Sequence, residues 1–334
     1  SLCKWFAKKI GFNNSSGGIA ASGGTLSNLN ALIAARNNAG LGTNPNSVLV
    51  VSEDAHSSFV KCIRVMGLDS TNLVRIKTDN QGRMDINDLR NSLDKCSIEN
   101  KKIFAIVATL GTTVRGAIDP IKEISEICKQ RNIWLHIDGS IGGIFAITSI
   151  PIEGLNNINQ ANSITINPQK IIGITKTSSL LLVSNMSTLE NTFNTGLPYI
   201  SSKENIINRG EIGIQGSRPA EVIKLWLGLR FLGLNGIENI LKSSIKKKDF
   251  FVKNISKNKF DIYSGPLHIV SFLPNKLEPK DSDAWTQTKV NELIKNNFML
   301  SRPKFKGKYF LRVVMGNYNT KDSHIEELLR LLDA

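Results

Sequence analysis

Cysteine is scarce in this sequence, and its few cysteines are widely separated along the chain. Cys3, Cys62, Cys96 and Cys128 form no CxxC pair, so neither a disulfide framework nor a zinc site is indicated. Scattered cysteines suit a reducing compartment, and we therefore expect a soluble cytoplasmic protein. Long apolar runs are also lacking. No stretch approaches the roughly 20 residues that a membrane-spanning helix needs, which excludes a transmembrane protein.

Acidic residues are outnumbered by basic ones, 28 to 42, which gives a formal net charge of +14. Such an excess can indicate a nucleic acid, an anionic membrane or an anionic ligand, or only a lysine-rich surface. The densest basic stretch, residues 242–259, has apolar residues between its lysines, which is typical of a surface helix whose lysines face water. No nucleic-acid-binding signature accompanies it. We expect neither a nucleic-acid nor a membrane partner.

The length of 334 residues is large for one compact domain. Hydrophobic residues make up 41% and charged residues 21%, which excludes wholesale disorder. Strand and helix patterns alternate over residues 17–184, and several strands are apolar on both faces, which indicates a mostly parallel sheet covered by helices. We predict an α/β large domain over residues 1–235 and a small α+β domain over residues 236–334.

Two segments have unusual patterns. The chain opens without Met in a run of helical spacing (Leu2, Trp5, Phe6 and Lys9), which we interpret as the middle of a helix in a chain that lacks its natural beginning. Residues 186–216 are polar, rich in Asn, Ser, Thr and Gly, and without clear periodicity. We expect a loop there, and loops of this length inside a compact domain are usually functional.

Three places in the sequence carry residues suited to chemistry. The Ser22-Gly23-Gly24 turn lies between a strand and a helix, where free N–H groups could cradle a phosphate, although a plain tight turn explains it equally well. Asp138 ends an apolar strand, where open α/β sheets bind ligands, and a helix-capping aspartate is the alternative. Lys170 follows a strand and an Asn-Pro turn. It could be a Schiff-base nucleophile if its pKa were lowered, whereas most lysines are only solvated.

A phosphate cradle, a carboxylate for a pyridinium nitrogen and a Schiff-base lysine are together the parts that hold pyridoxal 5'-phosphate (PLP). The sequence resembles the group II PLP-dependent decarboxylases, the family of the glutamate, cysteine-sulfinate, diaminobutyrate and aromatic amino-acid decarboxylases. The resemblance covers nearly the whole chain. Its motifs are SGGTLSN (22–28), DAHSS (54–58), ATLGTTVRGAIDPI (108–121), HIDGSIGG (136–143), NPQK (167–170), IQGSRPAEVIKLW (214–226) and FLRVVMGN (310–317).

This resemblance implies a fold-type I PLP-dependent transferase architecture and a set of cofactor residues. It implies that Ser22, Gly23 and Gly24 hold the phosphate, that His56 stacks on the ring, that Thr112 lies near the ring, that Asp138 pairs with the pyridine nitrogen, and that Lys170 forms the Schiff base. A core or capping role is the alternative for His56. His136 lies on the same strand face as Asp138. We expect a buried histidine there and no metal, since one H-x-D pair lacks a third ligand.

Two residues depart from the family pattern beside these positions. Gln169 stands where the family has a histidine before the lysine, and it can hydrogen-bond an anion but cannot titrate. Ser140 replaces an alanine and would face the cofactor ring. We expect both residues to contact the cofactor, and we expect the departures to affect substrate choice and rate more than cofactor binding.

The resemblance further implies decarboxylation of an L-amino acid to an amine and CO2, in a homodimer with its active site at the subunit interface. Tyr199, in FNTGLPY (193–199), matches the loop tyrosine that acts as a proton donor, with a loop anchor as the alternative. Arg312 matches the arginine that binds the substrate carboxylate, and an arginine in an apolar strand is costly unless it is paired.

The favoured substrate is acidic or small and polar, because residues 108–121 and the HID that follows are most similar to the glutamate and cysteine-sulfinate branch. A carbon–carbon lyase or a decarboxylation-dependent transaminase of the same fold is one alternative. The other alternative is a non-catalytic binding protein that keeps the fold and uses its positive surface for an anionic partner.

Overall fold

The structure is a computed structural model that describes residues 1–175, 178–196 and 208–333. The helices are α1 (Leu2–Lys9), α2 (Gly24–Asn38), α3 (Ser58–Val65), α4 (Ile86–Ile98), α5 (Ile121–Arg131), α6 (Ser187–Phe193), α7 (Val222–Asn254), α8 (Pro279–Lys295) and α9 (Asp322–Asp333). The strands are β1 (Gly17–Ala21), β2 (Ser47–Ser52), β3 (Leu73–Ile76), β4 (Lys102–Thr109), β5 (Trp134–Gly139), β6 (Ser163–Ile166), β7 (Ser179–Val183), β8 (Phe260–Ser264), β9 (Ile269–Pro274), β10 (Lys304–Phe305), β11 (Lys308–Tyr309) and β12 (Leu311–Val314).

The large sheet has the strand order β1-β7-β6-β5-β4-β2-β3. Strands β6, β5, β4, β2 and β3 pair in parallel, whereas β7 is antiparallel to both β6 and β1. Strand β2 is buried throughout, and its alternate residues enter different cores: Val48 and Val50 pack on one face, Leu49 and Val51 on the other. A strand that is apolar on both faces needs helices on both sides, and the expected mostly parallel, helix-covered sheet is confirmed.

The helices divide between the two faces according to their apolar stripes. Helices α1, α4 and α5 pack on the face that holds Val48 and Val50, whereas α2 and α3 supply Leu32 and Phe59 to the other face. Helix α5 has Ile121, Ile124 and Ile127 on its buried side at the spacing of one helical stripe. The spacing of apolar residues thus decides which surface of each helix meets the sheet.

A smaller three-stranded antiparallel sheet, in the order β12-β9-β8, follows the large one. The end of α7, together with α8 and α9, packs on it around Phe251, Phe272 and Leu329. The predicted boundary after residue 235 falls inside α7, close to Gly233, whose φ of 61° interrupts the helical backbone. Ile237 beyond that point still packs in the core of the large sheet. The domain boundary therefore stays a prediction.

Two details of the sequence analysis were wrong. Residues 187–193, expected to be loop, form α6, because Met186, Leu189 and Phe193 share one helical face and pack against a core beside β7. Not every lysine between residues 242 and 259 faces water, since Lys247 is buried and its Nζ donates hydrogen bonds to the carbonyl oxygens of Asn317 (3.1 Å) and Tyr318 (3.2 Å). Among the described residues, no helix has the length and apolar character needed to cross a bilayer.

A glycine allows β1 to pair closely with β7. A Cβ added at Gly18 would overlap the backbone carbonyl oxygen of Leu181 in the paired strand. We expect Gly18→Ala to lower the free energy of unfolding by about 1–3 kcal/mol, because the strands must separate to admit the methyl group. Urea unfolding curves measure this loss. Gly216→Ala is the matched control, since among the described residues nothing lies within 4 Å of its added Cβ. Equal stability of the two variants would contradict the explanation.

Candidate active site

A cavity of about 190 Å³ opens where β4, β5 and β6 end. Because these strands are parallel, their carboxyl ends meet at one edge of the sheet, which is where α/β proteins bind ligands. The residues that line the cavity come from this edge, from the start of α2 and from the segment before α3. They are Gly24, Thr25, Asn28, His56, Thr109, Gly111, Thr113, Asp138, Ser140, Ile141, Asn167 and Lys170.

The predicted site residues divide into three groups by position. Gly24, His56, Asp138, Ser140 and Lys170 line the cavity together. Ser22, Gly23, Thr112, Gln169 and Arg312 do not belong to its lining. Tyr199 lies outside the described residues. Motifs separated by more than a hundred residues in sequence are thus brought to one place, while some neighbours within the same motifs point elsewhere.

The N-terminus of α2 lies at the cavity. Gly23 is the N-cap residue and provides no side-chain hydrogen bond to the first turn, so the first backbone N–H groups are available to an anion. A Cβ at Gly24 would stand 2.7 Å from Ser140 Oγ and 2.9 Å from Asn167 Nδ2. Any side chain larger than hydrogen at this position would therefore collide with the lining of the cavity.

Two predicted cofactor residues have structural hydrogen bonds instead of a place in the cavity lining. Thr112 is buried, and its Oγ1 accepts a hydrogen bond from Ala117 N at 3.1 Å, which closes the turn after β4. Its neighbour Thr113 lines the cavity in its stead. Gln169 Oε1 accepts a hydrogen bond from Ser178 N, which ties the residue before Lys170 to the start of β7. The two side chains thus hold loops that surround the cavity.

Asp138 is a buried carboxylate with hydrogen bonds to both oxygens. Ser140 N donates to Oδ1 at 3.1 Å, and Asn28 Nδ2 donates to Oδ2 at 3.1 Å. Burial by itself raises the pKa of Asp138, but the hydrogen bond from the Ser140 hydroxyl and the charge of Lys170 outweigh it and lower the pKa below its ordinary value. Asp138 therefore remains ionised at neutral pH and can hold a cationic group beside it.

Lys170 follows β6 and lies in a short 3-10 turn that begins at Pro168. Water reaches its side chain, yet desolvation by the surrounding protein lowers the pKa of Lys170, the charge of Asp138 opposes this, and Arg312 adds to the lowering. A lowered pKa increases the fraction of neutral amine, which is the nucleophilic form of a lysine.

His56 presents an exposed ring at the cavity. Its Nδ1 accepts a hydrogen bond from Ser58 N at 3.1 Å, which fixes the orientation of the ring at the start of α3. Desolvation and the nearby Lys170 lower the pKa of His56, while Asp138 acts in the opposite direction. The ring is therefore neutral at physiological pH, which suits packing against a flat ligand.

Arg312 belongs to β12 of the small sheet, and its guanidinium contacts the backbone of the cavity wall. Its Nη1 donates to the carbonyl oxygen of Thr113 at 2.6 Å, and its Nε donates to Ser301 Oγ at 2.8 Å. The guanidinium is thereby held beside the wall, and desolvation lowers its pKa.

Sequence reasoning missed Asn28, Thr109 and Asn167 as lining residues. Asn28 lies four residues after Gly24 on the same helix face, a spacing that would have placed it at the site. Asn167 Oδ1 and Thr109 Oγ1 are buried without a hydrogen-bond partner among the described residues. Buried polar atoms are rarely left unpaired, so this cavity is suited to a polar ligand.

A protein-family model described as "Pyridoxal-dependent decarboxylase conserved domain" matches residues 1–272. The chain belongs to the pyridoxal-dependent decarboxylase family. Relatives in this family are amino-acid decarboxylases, which are PLP-dependent carboxy-lyases. The resemblance seen in the sequence motifs and the PLP cofactor implied by it are confirmed at the level of the family.

Two relatives illustrate the range of this decarboxylase family. The chain is 29% identical over 338 residues to an aromatic-L-amino-acid decarboxylase of Bacillus atrophaeus, a match that covers 98% of this chain and 70% of the relative. It is 32% identical over 257 residues to the acidic amino acid decarboxylase GADL1 of Xenopus tropicalis, which covers 70% of this chain and 50% of that protein. One name refers to aromatic and the other to acidic amino acids, so these similarities leave the substrate class open.

Solved structures of the family share the fold. Mouse CSAD superposes with a TM-score of 0.90 at 25% identity and covers 99% of this chain and 73% of its own. Oryza sativa TDC, solved with PLP and tryptamine, has a TM-score of 0.90 at 19% identity over 98% of this chain and 73% of its own, a likeness of fold alone. The predicted fold-type I architecture, with a mostly parallel sheet and a smaller antiparallel one, is confirmed.

The residues at the cavity fit the cofactor of this decarboxylase family. A helix N-terminus suits a phosphate, an ionised carboxylate suits a protonated ring nitrogen, and a lysine of lowered pKa suits an aldehyde. The space that only glycine leaves at position 24, and the unpartnered Asn167 Oδ1, are further features that a polar ligand would use.

A buried ion pair includes Asp54, two residues before His56 in the sequence. Asp54 Oδ2 stands 3.9 Å from Arg115 Nε, and both side chains are almost inaccessible to water. The Arg115 guanidinium packs over the rings of Phe305 (4.6 Å) and Tyr263 (5.2 Å) of the small sheet and its hairpin. Burial raises the pKa of Asp54 to about 6, and Arg115 opposes the rise. The segment that carries His56 therefore depends on a carboxyl group that titrates in mildly acidic solution.

This titration predicts a pH-dependent stability. The folded protein binds the Asp54 proton more tightly than the unfolded chain, whose aspartates have a pKa of about 3.9. The resulting stabilisation is complete below that pKa and is lost as the pH rises to about 6. We expect Asp54→Asn to remove this loss. The free energy of unfolding of the variant should therefore fall less steeply with pH between these values than that of the parent. The two slopes should differ by up to about 1.4 kcal/mol per pH unit.

Urea unfolding of the cofactor-free protein at a series of pH values measures the slope. Asp261→Asn is the matched control, because Asp261 lies exposed on β8. If Asp54→Asn and the parent had the same slope, the assignment of this titration to Asp54 would be wrong.

Proposed function

We propose that this chain binds PLP through a Schiff base to Lys170 and decarboxylates an L-amino acid to an amine and CO2. The observation that carries this proposal is that Lys170 and Asp138 face one cavity at the N-terminus of α2. When bound, the cofactor supplies an electron sink for the pair of electrons that the departing carboxylate leaves behind. Family membership supports the same reaction type.

Each remaining residue has a defined task in this proposal. Asp138 keeps a proton on the ring nitrogen, because an ionised carboxylate stabilises the adjacent cation. The backbone N–H groups at Gly23 and Gly24, with the hydroxyl of the preceding Ser22, bind the phosphate. His56 packs its neutral ring on the cofactor and excludes water from that face. Ser140 donates to Asp138 and borders the ring. Thr112 and Gln169 act through the loops that they hold.

The substrate assignment is a proposal from charge and sequence similarity. We propose that Arg312 binds the α-carboxylate of the substrate, since it lies beside the wall formed by Thr113. An acidic or small polar amino acid is the favoured substrate, because residues 108–121 are most similar to the glutamate and cysteine-sulfinate branch. A carbon–carbon lyase or a decarboxylation-dependent transaminase of the same fold is the second candidate.

The assembly and location of the protein belong to the same proposal. Trp226, Leu227 and Phe231 are exposed apolar side chains on α7, and a surface of this kind suits a subunit interface, so we propose a homodimer. We propose a cytoplasmic location because all four cysteines are free and buried. Tyr199 remains our candidate for the group that returns a proton to the substrate.

Replacement of Lys170 tests the central claim. We expect the parent, purified with PLP, to show a visible absorption band that Lys170→Ala lacks, and we expect borohydride to fix the cofactor on Lys170, as peptide mass spectrometry detects. Decarboxylation should fall by more than about a thousandfold in the variant. Lys176→Ala is the control lysine variant in the same part of the sequence.

The product identifies the reaction type. Release of CO2 with an amine supports the decarboxylase, whereas an aldehyde or keto product favours the second candidate. A folded dimer with no absorption band and no reduced adduct would refute PLP binding and favour the non-catalytic binding protein. An adduct on another lysine would refute the role of Lys170.

Conservative replacement of Arg312 tests substrate binding. We expect Arg312→Lys to raise KM about tenfold or more with a smaller change in kcat, because lysine keeps the charge but not the planar pair of donors. Steady-state kinetics measure both constants, with an amino acid that the product analysis identifies as a substrate. Arg330→Lys, at an exposed position on α9, is the control. An unchanged KM in Arg312→Lys would contradict the assignment.

A further inference from the structure

A chain of buried hydrogen bonds leads from Asp138 into the sheet. Asn28 Nδ2 donates to Asp138 Oδ2 (3.1 Å), and Asn28 Oδ1 lies 3.1 Å from His136 Nε2. His136 Nδ1 lies 2.8 Å from Ser163 Oγ, and Trp134 Nε1 donates to the same oxygen at 2.8 Å. All of these side chains are buried.

Both ends of this chain have a fixed polarity. An ionised carboxylate only accepts hydrogen bonds, so the Asn28 amide must turn its NH2 group to Asp138 and its oxygen to His136. An indole N–H only donates, so Ser163 accepts from Trp134 and has its own proton left for His136. The histidine thus meets an acceptor at Nε2 and a donor at Nδ1.

We propose that Trp134, Ser163, His136 and Asn28 act as positioning residues for Asp138: their one-way hydrogen bonds hold His136 neutral with its proton on Nε2 and direct the Asn28 amide at the carboxylate. The consequence for PLP rests on the proposed function. Burial independently favours the neutral ring, since it lowers the pKa of His136 to about 4. His136 is therefore held in one of its two neutral tautomers.

The geometry of the sheet explains how these residues meet. Trp134, His136 and Asp138 are alternate residues of β5 and project from one face. Ser163 is the register partner of His136 on β6. Asn28 belongs to α2, the helix whose first turn borders the cavity. The same strand and helix thus supply both the chain and the groups at the cavity, so a displaced link alters the orientation of the carboxylate.

The tautomer can be measured without cofactor or activity. Nitrogen-15 NMR of the apoprotein, with His136 assigned from a His136→Asn variant, should show a protonated Nε2 and a bare Nδ1 that do not titrate between about pH 6 and pH 8. Trp134→Phe removes the far donor, after which Ser163 can accept from His136, and we expect a population with the proton on Nδ1. Trp285→Phe, on α8, is the matched control and should leave the tautomer unchanged.

The positioning of Asp138 has a separate readout in PLP affinity. We expect Asn28→Leu to raise the Kd for PLP about tenfold, because one hydrogen bond to the charged carboxylate is lost. Ser163→Ala should raise the Kd by a smaller factor, since the change lies three hydrogen bonds away from Asp138. Ser244→Ala removes a buried serine hydroxyl that donates to Leu241 O (2.7 Å) and should leave the Kd unchanged.

The outcomes separate this proposal from the proposed function. A proton on Nδ1 of His136 in the parent, or a tautomer that Trp134→Phe leaves unchanged, would overturn the one-way chain whether or not PLP binds. The expected tautomers together with an unchanged Kd in Asn28→Leu would overturn the positioning role. Absence of PLP binding in the folded parent would overturn the proposed function. The tautomer measurements would still show whether the hydrogen bonds from Trp134 to Asp138 run in one direction.

Discussion

An ionised carboxylate buried at the end of β5 is the constraint on which the site depends. Asp138 is almost completely buried, so its charge must be balanced by protein groups. The Ser140 backbone supplies one hydrogen bond and Asn28 of α2 the other. The packing of α2 against the sheet is therefore a condition for the charge, and α2 also brings its N-terminus to the cavity. In the proposed function, this one helix would serve two opposite charges: the cofactor phosphate at its first turn and, through Asp138, the protonated ring nitrogen.

Much of the fold could be predicted because its signals are local. Strands with a long apolar run, such as residues 103–108 of β4, and helices with one apolar stripe, such as α5, predicted the parallel architecture. The rule that ligands bind where parallel strands end predicted a site at Asp138, and Lys170 was joined to it because a phosphate cradle, a carboxylate and a lysine are together the parts that hold PLP. Helix α6 was not predicted because three apolar residues in a polar segment are a weak helical signal. The helix is stabilised by packing of these residues against β7, which the local sequence does not show.

Other parts of the site depend on geometry that a linear pattern does not contain. Thr112 and Thr113 are neighbouring residues of the same type, so the sequence does not distinguish them. The tight turn that ends at Ala117 decides which of the two faces the cavity. Asn28 belongs to the recognised SGGTLSN segment, but its role appears only when β5 lies beneath α2. The aromatic partners of Arg115 come from β8 and β10, far away in sequence. Local composition therefore predicted the elements, whereas long-range contacts decided how individual side chains are used.

The wall of the cavity after β4 is fixed from the other sheet. Arg312 binds the carbonyl oxygen of Thr113, and Gly265 N donates to that of Arg115 at 2.6 Å. A ribosome releases the chain from its N-terminus, so His56, Asp138 and Lys170 emerge well before these two partners. The nascent polypeptide thus holds these three cavity residues while one wall of the cavity still lacks its anchors. The wall is therefore completed only after Arg312 has been synthesised, well after Lys170.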